Sequence, residues 1–409
     1  MSRDDAPPSD HKFEGRLVPG PGPRGVGAIH PARRRPLRPA SRALIRAVAL
    51  VVGALTVPRW VMGRRADPVY AGDSEAVEPL ARAVAADVRH DRGAAAFNTG
   101  DPRFDGEWAF GTQMMAAVGL AQWVRAHPAQ RAEYAPVIAQ AVDNLVAPRT
   151  LAFGRAAWGE DPLASLDSAH GHAYLGYVAL ALGALREVDP QTRHAALHDR
   201  LVGALARRLA EAPGNVIETY PGEIYPCDLA SVVAALGYHQ RVAHGRHAAL
   251  IATMRARFEN DWRAGDYLRH ALGGRQGTTL GPARGATTAL SAWFWRFADP
   301  AFSRRLSTRL LAGGMQSFAG FGAIVEYGPG SAGRGDIDSG PVVAGFSVSA
   351  TGFALGAARI ADDRVAFTAL FRTAQLFGVP FDDGGRRGYV TGGPIGNAIL
   401  FAMMNTPGA

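Results

Sequence analysis

The chain holds one cysteine, Cys227, and one lysine, Lys12, among its 409 residues. A single thiol excludes a disulfide scaffold and any zinc or iron–sulfur centre built from several cysteines. With its only lysine near the N-terminus, the rest of the chain has no group for Schiff-base chemistry or for a P-loop. Nor do the late glycines Gly328, Gly330, Gly333, Gly335, Gly392 and Gly393 form a dinucleotide fingerprint behind a strand. His170-x-His172 with Asp167 lacks further ligands at fixed spacing, and residues two apart on a helix do not face one another. Neither a metal nor another cofactor is expected.

Charge of one sign is also scarce outside the N-terminus. The net charge is +8, but residues 1–66 hold twelve Arg and Lys12 against Asp4, Asp5, Asp10 and Glu14. That segment carries +9, so the remainder carries −1. A nearly neutral body excludes nucleic acid as the main partner, because phosphate neutralisation needs a basic face.

The sequence thus divides into a basic tail, 1–66, and a body, 67–409. Residues 1–42, rich in Pro, Gly and Arg without an apolar period, read as disordered. An apolar run from Ala47 to Pro58 follows, fenced by Arg46 and Arg59. It is shorter than the about 20 residues a membrane span requires and fits a signal-like or interfacial segment. Arg33, Arg34 and Arg35 resemble the basic start of a signal, whereas Arg59, Arg64 and Arg65 oppose translocation. Membrane association or export to a periplasm is favoured slightly over the cytoplasm.

From residue 70 onward two kinds of segment alternate. Amphipathic, charged-faced helices are expected over 74–92, 131–147, 191–211, 245–262, 300–316 and 362–377. Between them lie Ala-, Gly- and Ser-rich stretches beginning near Glu107, His170, Asp228, Arg284, Gly340 and Pro394. Their starts are 63, 58, 56, 56 and 54 residues apart, the mark of a repeated helix–helix unit. The charged-faced helices suit an outer ring and the small apolar ones an interior. The fold class expected is therefore all-α, an (α/α)6 toroid of six helical hairpins.

Loops leading into the inner segments hold nearly all the unusual polar residues, and in a toroid they converge at one end. Pro226, Pro341 and Pro394 suit first helical turns, and Asp228 and Ser339 suit N-caps. Capping does not demand Tyr220-Pro-Gly-Glu223-Ile-Tyr225-Pro-Cys227-Asp228, with two tyrosines, two acids and a thiol. Nor does it explain Asp336-Ile-Asp338, whose carboxylates repel unless one is protonated or both are bonded. The catalytic candidates are Glu107, His172, Glu223, Tyr225, Cys227, Asp228, Asp336 and Asp338. Trp108, Trp158, Tyr220, Arg284, Glu326, Tyr327 and Tyr389 are expected to line the substrate. Cys227 sits at a helix start, which lowers a thiol pKa, beside acids that raise it. It suits a neutral acid or a small buried residue.

At YPGEIYPCD, and again at GRGDIDSGP followed by SATGFALGAARI, the sequence resembles the linalool dehydratase/isomerase domain, and more distantly the six-hairpin glycosidase toroids. The likeness covers roughly residues 70–405. It implies a cofactor-free lyase or isomerase that protonates an allylic hydroxyl and removes a proton elsewhere. Cys227 matches the first cysteine of that family's central motif, but Leu236 stands where a second is expected. Two other classes fit the same residues. One is a glycan-active hydrolase or lyase with paired carboxylates and sugar-stacking tryptophans. The other is a non-catalytic, membrane-tethered binding protein.

Overall fold

The computed structural model describes residues 39–168, 170–274 and 276–408, together with an isolated Gly20. The expected disorder of residues 1–42 thus lies almost wholly outside the described residues. Two compact units are present, Met1–Val52 and Gly53–Ala409. Helix α1, Pro39–Gly63, crosses that boundary and carries Pro58 within it. Its 25 residues rise about 37 Å at 1.5 Å each, against a hydrocarbon core of about 30 Å. The twelve-residue limit read from the sequence is therefore corrected. Ala43–Ala71 is helical and apolar enough to cross a membrane by length and composition, because Arg46 and Arg59 do not end the helix.

The second unit is mostly helical. After the short α2 (Ala66–Ala71), the helices with one buried stripe are α3 (Ser74–His90), α5 (Arg131–Val146), α8 (Ala195–Glu211), α10 (Ala248–Ala256), α12 (Pro300–Gly314) and α14 (Arg364–Gly378). Between them run α4 (Pro102–Ala126), α7 (Leu175–Val188), α9 (Pro226–Ala243), α11 (Gly285–Trp295), α13 (Val348–Ile360) and α15 (Gly393–Met404), with α6 (Ala152–Trp158) as a short insert. The alternation expected from spacing is thus observed helix by helix. Its starts are written in the sequence. Asp73, Asp101, Asp299 and Asp363 each accept a backbone N–H from the first turn of the helix they precede, and Pro102, Pro226 and Pro300 occupy first turns.

The small, apolar helices pack on one another in sequence: α4 on α7, α7 on α9, α9 on α11, α11 on α13, α13 on α15, and α15 again on α4. Glycine makes two of these approaches possible. A Cβ on Gly176 would lie 2.5 Å from the backbone nitrogen of Val232, and one on Gly237 would lie 2.4 Å from Cα of Ala298. The charged-faced helices cover this layer from outside, as α5 does on α4 and α7, and α12 on α11 and α13.

The chain is not purely helical, which corrects the all-α expectation. Three strands, Arg263–Ala264, Tyr267–Arg269 and Ala283–Arg284, form an antiparallel sheet before α11. Four more precede α13, in the order Met315–Phe318, Phe321–Val325, Phe346–Ser347, Val342–Val343. A hairpin pairs Pro380–Asp383 with Arg386–Tyr389 before α15, and Leu272–Gly273 pairs with Thr279–Leu280. Strands of two to five residues leave too little alternation to read. They also displace two expected features. Pro341 precedes a strand rather than opening α13, and the cap of that helix is Ser347, not Ser339.

Candidate functional site

Residues 219–228 are folded by their own turn chemistry. Pro221-Gly222 makes a reversal in which Gly222 takes φ +81, and Tyr220 bridges back to Glu223. The backbone N–H of Thr219 donates to the carbonyl of Glu223 at 2.8 Å. The turn brings Thr219 and Tyr220 beside the first turn of α9, where Cys227 and Asp228 sit.

Asp228 is not a cap. Its Oδ2 accepts from the Thr219 hydroxyl at 2.6 Å, and its Oδ1 from Tyr177 at 2.7 Å and from the Cys227 thiol at 3.6 Å. All three partners donate, so they hold an acceptor in place. Burial nevertheless raises the Asp228 carboxyl above its ordinary range, against the pull of those hydrogen bonds. Cys227 is pushed up as well, first by burial and then by the charges of Asp228 and Asp338. Burial, aided by the acids, prevails over the helix start, and the thiol remains neutral.

Glu107, one turn into α4, accepts a short hydrogen bond from the Tyr220 hydroxyl. Arg103 lies 3.9 Å from Glu107 and 4.0 Å from Glu223, with its guanidinium over the Tyr220 ring. Burial, with the charges of Asp338 and Asp228, raises the Glu107 carboxyl to about 7 even though Tyr220 and Arg103 oppose the shift. Glu223 receives the Tyr225 hydroxyl at 2.8 Å, and the Tyr225 ring lies 5.3 Å from that of His270.

The Asp336–Asp338 pair resolves its repulsion by division of labour. Asp336 takes two hydrogen bonds from the Arg284 guanidinium, and its Oδ1 also accepts the backbone N–H groups of Asp338 and Ser339, both at 3.1 Å. Burial alone would raise it, but Arg284 outweighs burial and holds it at about 2. Asp338 has no such partner. It rises to about 6 through desolvation and the charges of Asp336 and Asp228, while 56% of its side chain stays accessible. More than half of this side chain is therefore open to water, with His270 Nε2 4.0 Å away. Arg284 itself is 2% exposed and also donates to Glu326, which is 0% exposed, at 2.6 Å. Its guanidinium lies 5.7 Å from the Tyr327 ring, and the two residues form a backbone bridge.

The only group of potential metal ligands found among the described residues is His270, Asp336 and Asp338, with ligand atoms within 4.8 Å of one another. Both oxygens of Asp336 are already committed to Arg284 and backbone donors, so the set offers two free ligands and does not fit a metal. His270 shares a hydrogen bond with Thr287 at 2.9 Å, and its Nε2 is 4.0 Å from Asp338. Burial, reinforced by Arg284, lowers it to about 4.

Not every sequence candidate joins this group. His172 is fully buried at φ +69, stacked on Trp158 with ring centroids 4.6 Å apart. Its two ring nitrogens have no hydrogen-bond partner, and burial followed by Arg208 lowers it to about 4. Trp158 donates its N–H to the Thr219 carbonyl at 3.0 Å and is flanked by Gly171, so it braces the 219–228 turn from behind. Trp108 meets Phe97 edge-on. Tyr389 is buried beside Gln375 and borders a cavity of about 10 Å³ with Arg65 and Val69, away from the acids; a second cavity, of about 50 Å³, lies beside Asp91. Conversely, the sequence reading missed Arg103, Tyr177, Thr219, His270 and Thr287. Tyr177 could have been found as the one hydroxyl in the apolar run of α7; His270 lies in a hairpin that carried no signal. No family model matches the chain, and no curated protein matches it.

Proposed function

We propose that this chain is an enzyme that moves protons on a small, largely apolar alcohol without a cofactor, a lyase or isomerase of the dehydratase type built on an (α/α)6 toroid. The toroid reading is supported by the packing order of the six small-residue helices, which returns from α15 to α4. The chemical reading is carried by one observation. The turn at Thr219-Tyr220 joins two carboxyls from distant segments, Thr219 donating to Asp228 and Tyr220 to Glu107, and burial raises the proton affinity of both. A carboxyl poised near neutrality serves general acid–base catalysis best.

In the proposed reaction Glu107 donates its proton to the hydroxyl as the C–O bond breaks, and water leaves. Asp338 takes the proton from the neighbouring carbon as the double bond forms, and solvent returns it to Glu107. Tyr220 orients Glu107; Tyr177 and Thr219 hold Asp228; Arg284 fixes Asp336 and, through it, the backbone of Asp338. Glu223, bonded by Tyr225 and 4.0 Å from Arg103, flanks Glu107. The glycan reading has less support, because Trp158 is already stacked on His172 and Trp108 packs on Phe97.

The test incubates the full chain with small allylic alcohols and measures alkene formation and deuterium uptake from heavy water. Glu107→Gln and Asp338→Asn should each lower turnover by about 10²–10⁴-fold. Turnover that survives both substitutions overturns the assignment. Binding of these alcohols with no turnover, unchanged in Asp338→Asn and Glu223→Gln, would favour the non-catalytic class.

A further inference from the structure

Outside α1, six of the ten exposed large apolar side chains among the described residues belong to the end of α14 and the two hairpins beside it; Leu280, Val343, Val348 and Val365 lie elsewhere. Leu376 and Phe377 end α14; Val379, Phe381 and Val390 belong to the hairpin that follows; Phe318 stands at the tip of the neighbouring one. Phe318 is 82% exposed, and Phe377 and Val390 are each 64% exposed. The backbone ties most of these together: Val390 N–H donates to the Val379 carbonyl at 3.2 Å, and the Thr391 hydroxyl to the Phe377 carbonyl at 2.8 Å. Val379 adopts φ +52, a conformation that Gly or Asn would meet without strain, yet an aliphatic side chain is kept there, facing out. Contiguous apolar surface of this kind marks an interaction site.

The end of α1 borders this patch. Arg372, one turn before Leu376, donates to the Arg59 carbonyl at 3.2 Å and to the Gly320 carbonyl, beside Phe318, at 3.0 Å. Arg65 lies against Arg387 and Tyr389 of the hairpin. The patch thus adjoins a helix of membrane-spanning length, exposed at Val57 and Trp60, with Arg59, Arg65 and Arg372 beside it, while Asp382 and Asp383 in the hairpin are paired with Arg387 and Arg386. Aromatic and aliphatic side chains with an excess of arginine beside them suit the boundary between acyl chains and anionic headgroups.

We infer that the Leu376–Phe381 and Val390 surface, with Phe318, lies on an anionic lipid bilayer beside the point where α1 joins the domain. The patch occupies the C-terminal end of α14 and the hairpin feeding the start of α15. The acids occupy the starts of α4 and α9 and the loop before α13, so on the proposed toroid both belong to the same end of the unit. Docking would then turn the acids toward the membrane, from which an apolar alcohol can partition directly. That last consequence rests on the proposed acid–base reading; the docking itself does not.

The test uses the full chain carrying Cys227→Ser, with single cysteines introduced by Phe377→Cys, Phe381→Cys or Val390→Cys and an environment-sensitive fluorophore attached. Val365→Cys, at the opposite end of α14, is the control, and Leu50→Cys reports on α1. The proteins are mixed with phosphatidylcholine–phosphatidylglycerol vesicles containing brominated lipid. Quenching at 377, 381 and 390, at least several-fold stronger than at 365, is expected. Quenching at 50 without quenching at 377, 381 and 390 overturns the docking surface while sparing the helix reading. Quenching at none overturns both. Protection from aqueous iodide without lipid quenching assigns the patch to a second copy of the chain and also overturns the proposal. None of these readouts depends on turnover, so a failed activity assay leaves them unaffected.

Discussion

Two neighbouring layers of the same unit contain the same kinds of residue and behave in opposite ways. In one, Glu107 and Asp228 each accept from a tyrosine, and burial, with the charge of Asp228, raises the proton affinity of Glu107 and Asp338. In the other, His172 stacks on Trp158 with Tyr174 tilted against it, and although Glu160 lies 3.7 Å away, burial and then Arg208 drive the imidazole neutral. Both layers come from loops that precede small, apolar helices, and both mix aromatics with titratable groups. What separates them is coupling. Buried acids near like charges keep their protons to higher pH, whereas a buried base beside a cation gives its proton up sooner. Residue type marks where polar groups gather; only their mutual distances show which gathering can do chemistry.

The largest expected effect tests what holds the acids apart. Arg284 is the one cation between Glu326 and Asp336, and burial, which alone would lower its pKa, is outweighed by both carboxylates. Arg284→Met leaves Glu326 uncompensated in the interior, and frees the half-exposed Asp336, at a cost of about 3–5 kcal/mol for the buried charge. The loss should appear in urea unfolding at pH 7. It should shrink in the double variant Arg284→Met/Glu326→Gln, because the stranded charge is then gone. A single variant as stable as the parent would mean that the buried Glu326 charge does not depend on Arg284.

The comparison sharpens in the pH dependence of stability, where the two layers carry opposite signs. Glu107 moves from 4.5 to about 7 on folding, so the folded state holds a proton that the unfolded chain releases. Its contribution is complete below pH 4.5 and is lost as pH rises to about 7, a change of about 3 kcal/mol. His172 moves from 6.5 down to about 4, so its contribution is present above 6.5 and is lost as pH falls toward 4. Unfolding measured from pH 4 to 8 should therefore show Glu107→Gln flattening the fall toward neutral pH. His172→Asn, whose side chain tolerates the positive φ, should flatten the fall toward acid. Identical slopes in the two variants would erase the distinction between the layers.

How much of this was legible in the sequence follows the same division. The alternation of charged-faced and small-residue helices was readable because burial on one side or on all sides writes directly into composition. Asp338 and Glu107 could be nominated from unusual local density. The capping role weighed for Asp228 could be discarded only once the Pro221-Gly222 turn was seen to fold Thr219 back onto it. Asp336 and Asp338 look equivalent in sequence and differ only because Arg284, 52 residues away, reaches one of them. The hairpins were hidden by their brevity, and His270 with them. Tyr389, an aromatic in a polar loop like Tyr220, packs elsewhere because its own hairpin folds back against α3.

The smallest effect concerns Cys227, and it decides between two chemistries of the same atom. A thiolate nucleophile needs a cationic neighbour or an unopposed helix start, but here burial and two carboxylates raise the thiol. Its proton is directed at Asp228, 3.6 Å away, a bond that a serine hydroxyl can also donate. Cys227→Ser should therefore lower turnover by no more than about tenfold, equivalent to about 1.4 kcal/mol, and alkylation of the parent by iodoacetamide should stay slow at pH 7. A loss as deep as that of Glu107→Gln, together with rapid alkylation, would show that the sulfur attacks substrate. The acid cluster would then serve to regulate a nucleophile rather than to carry the protons itself.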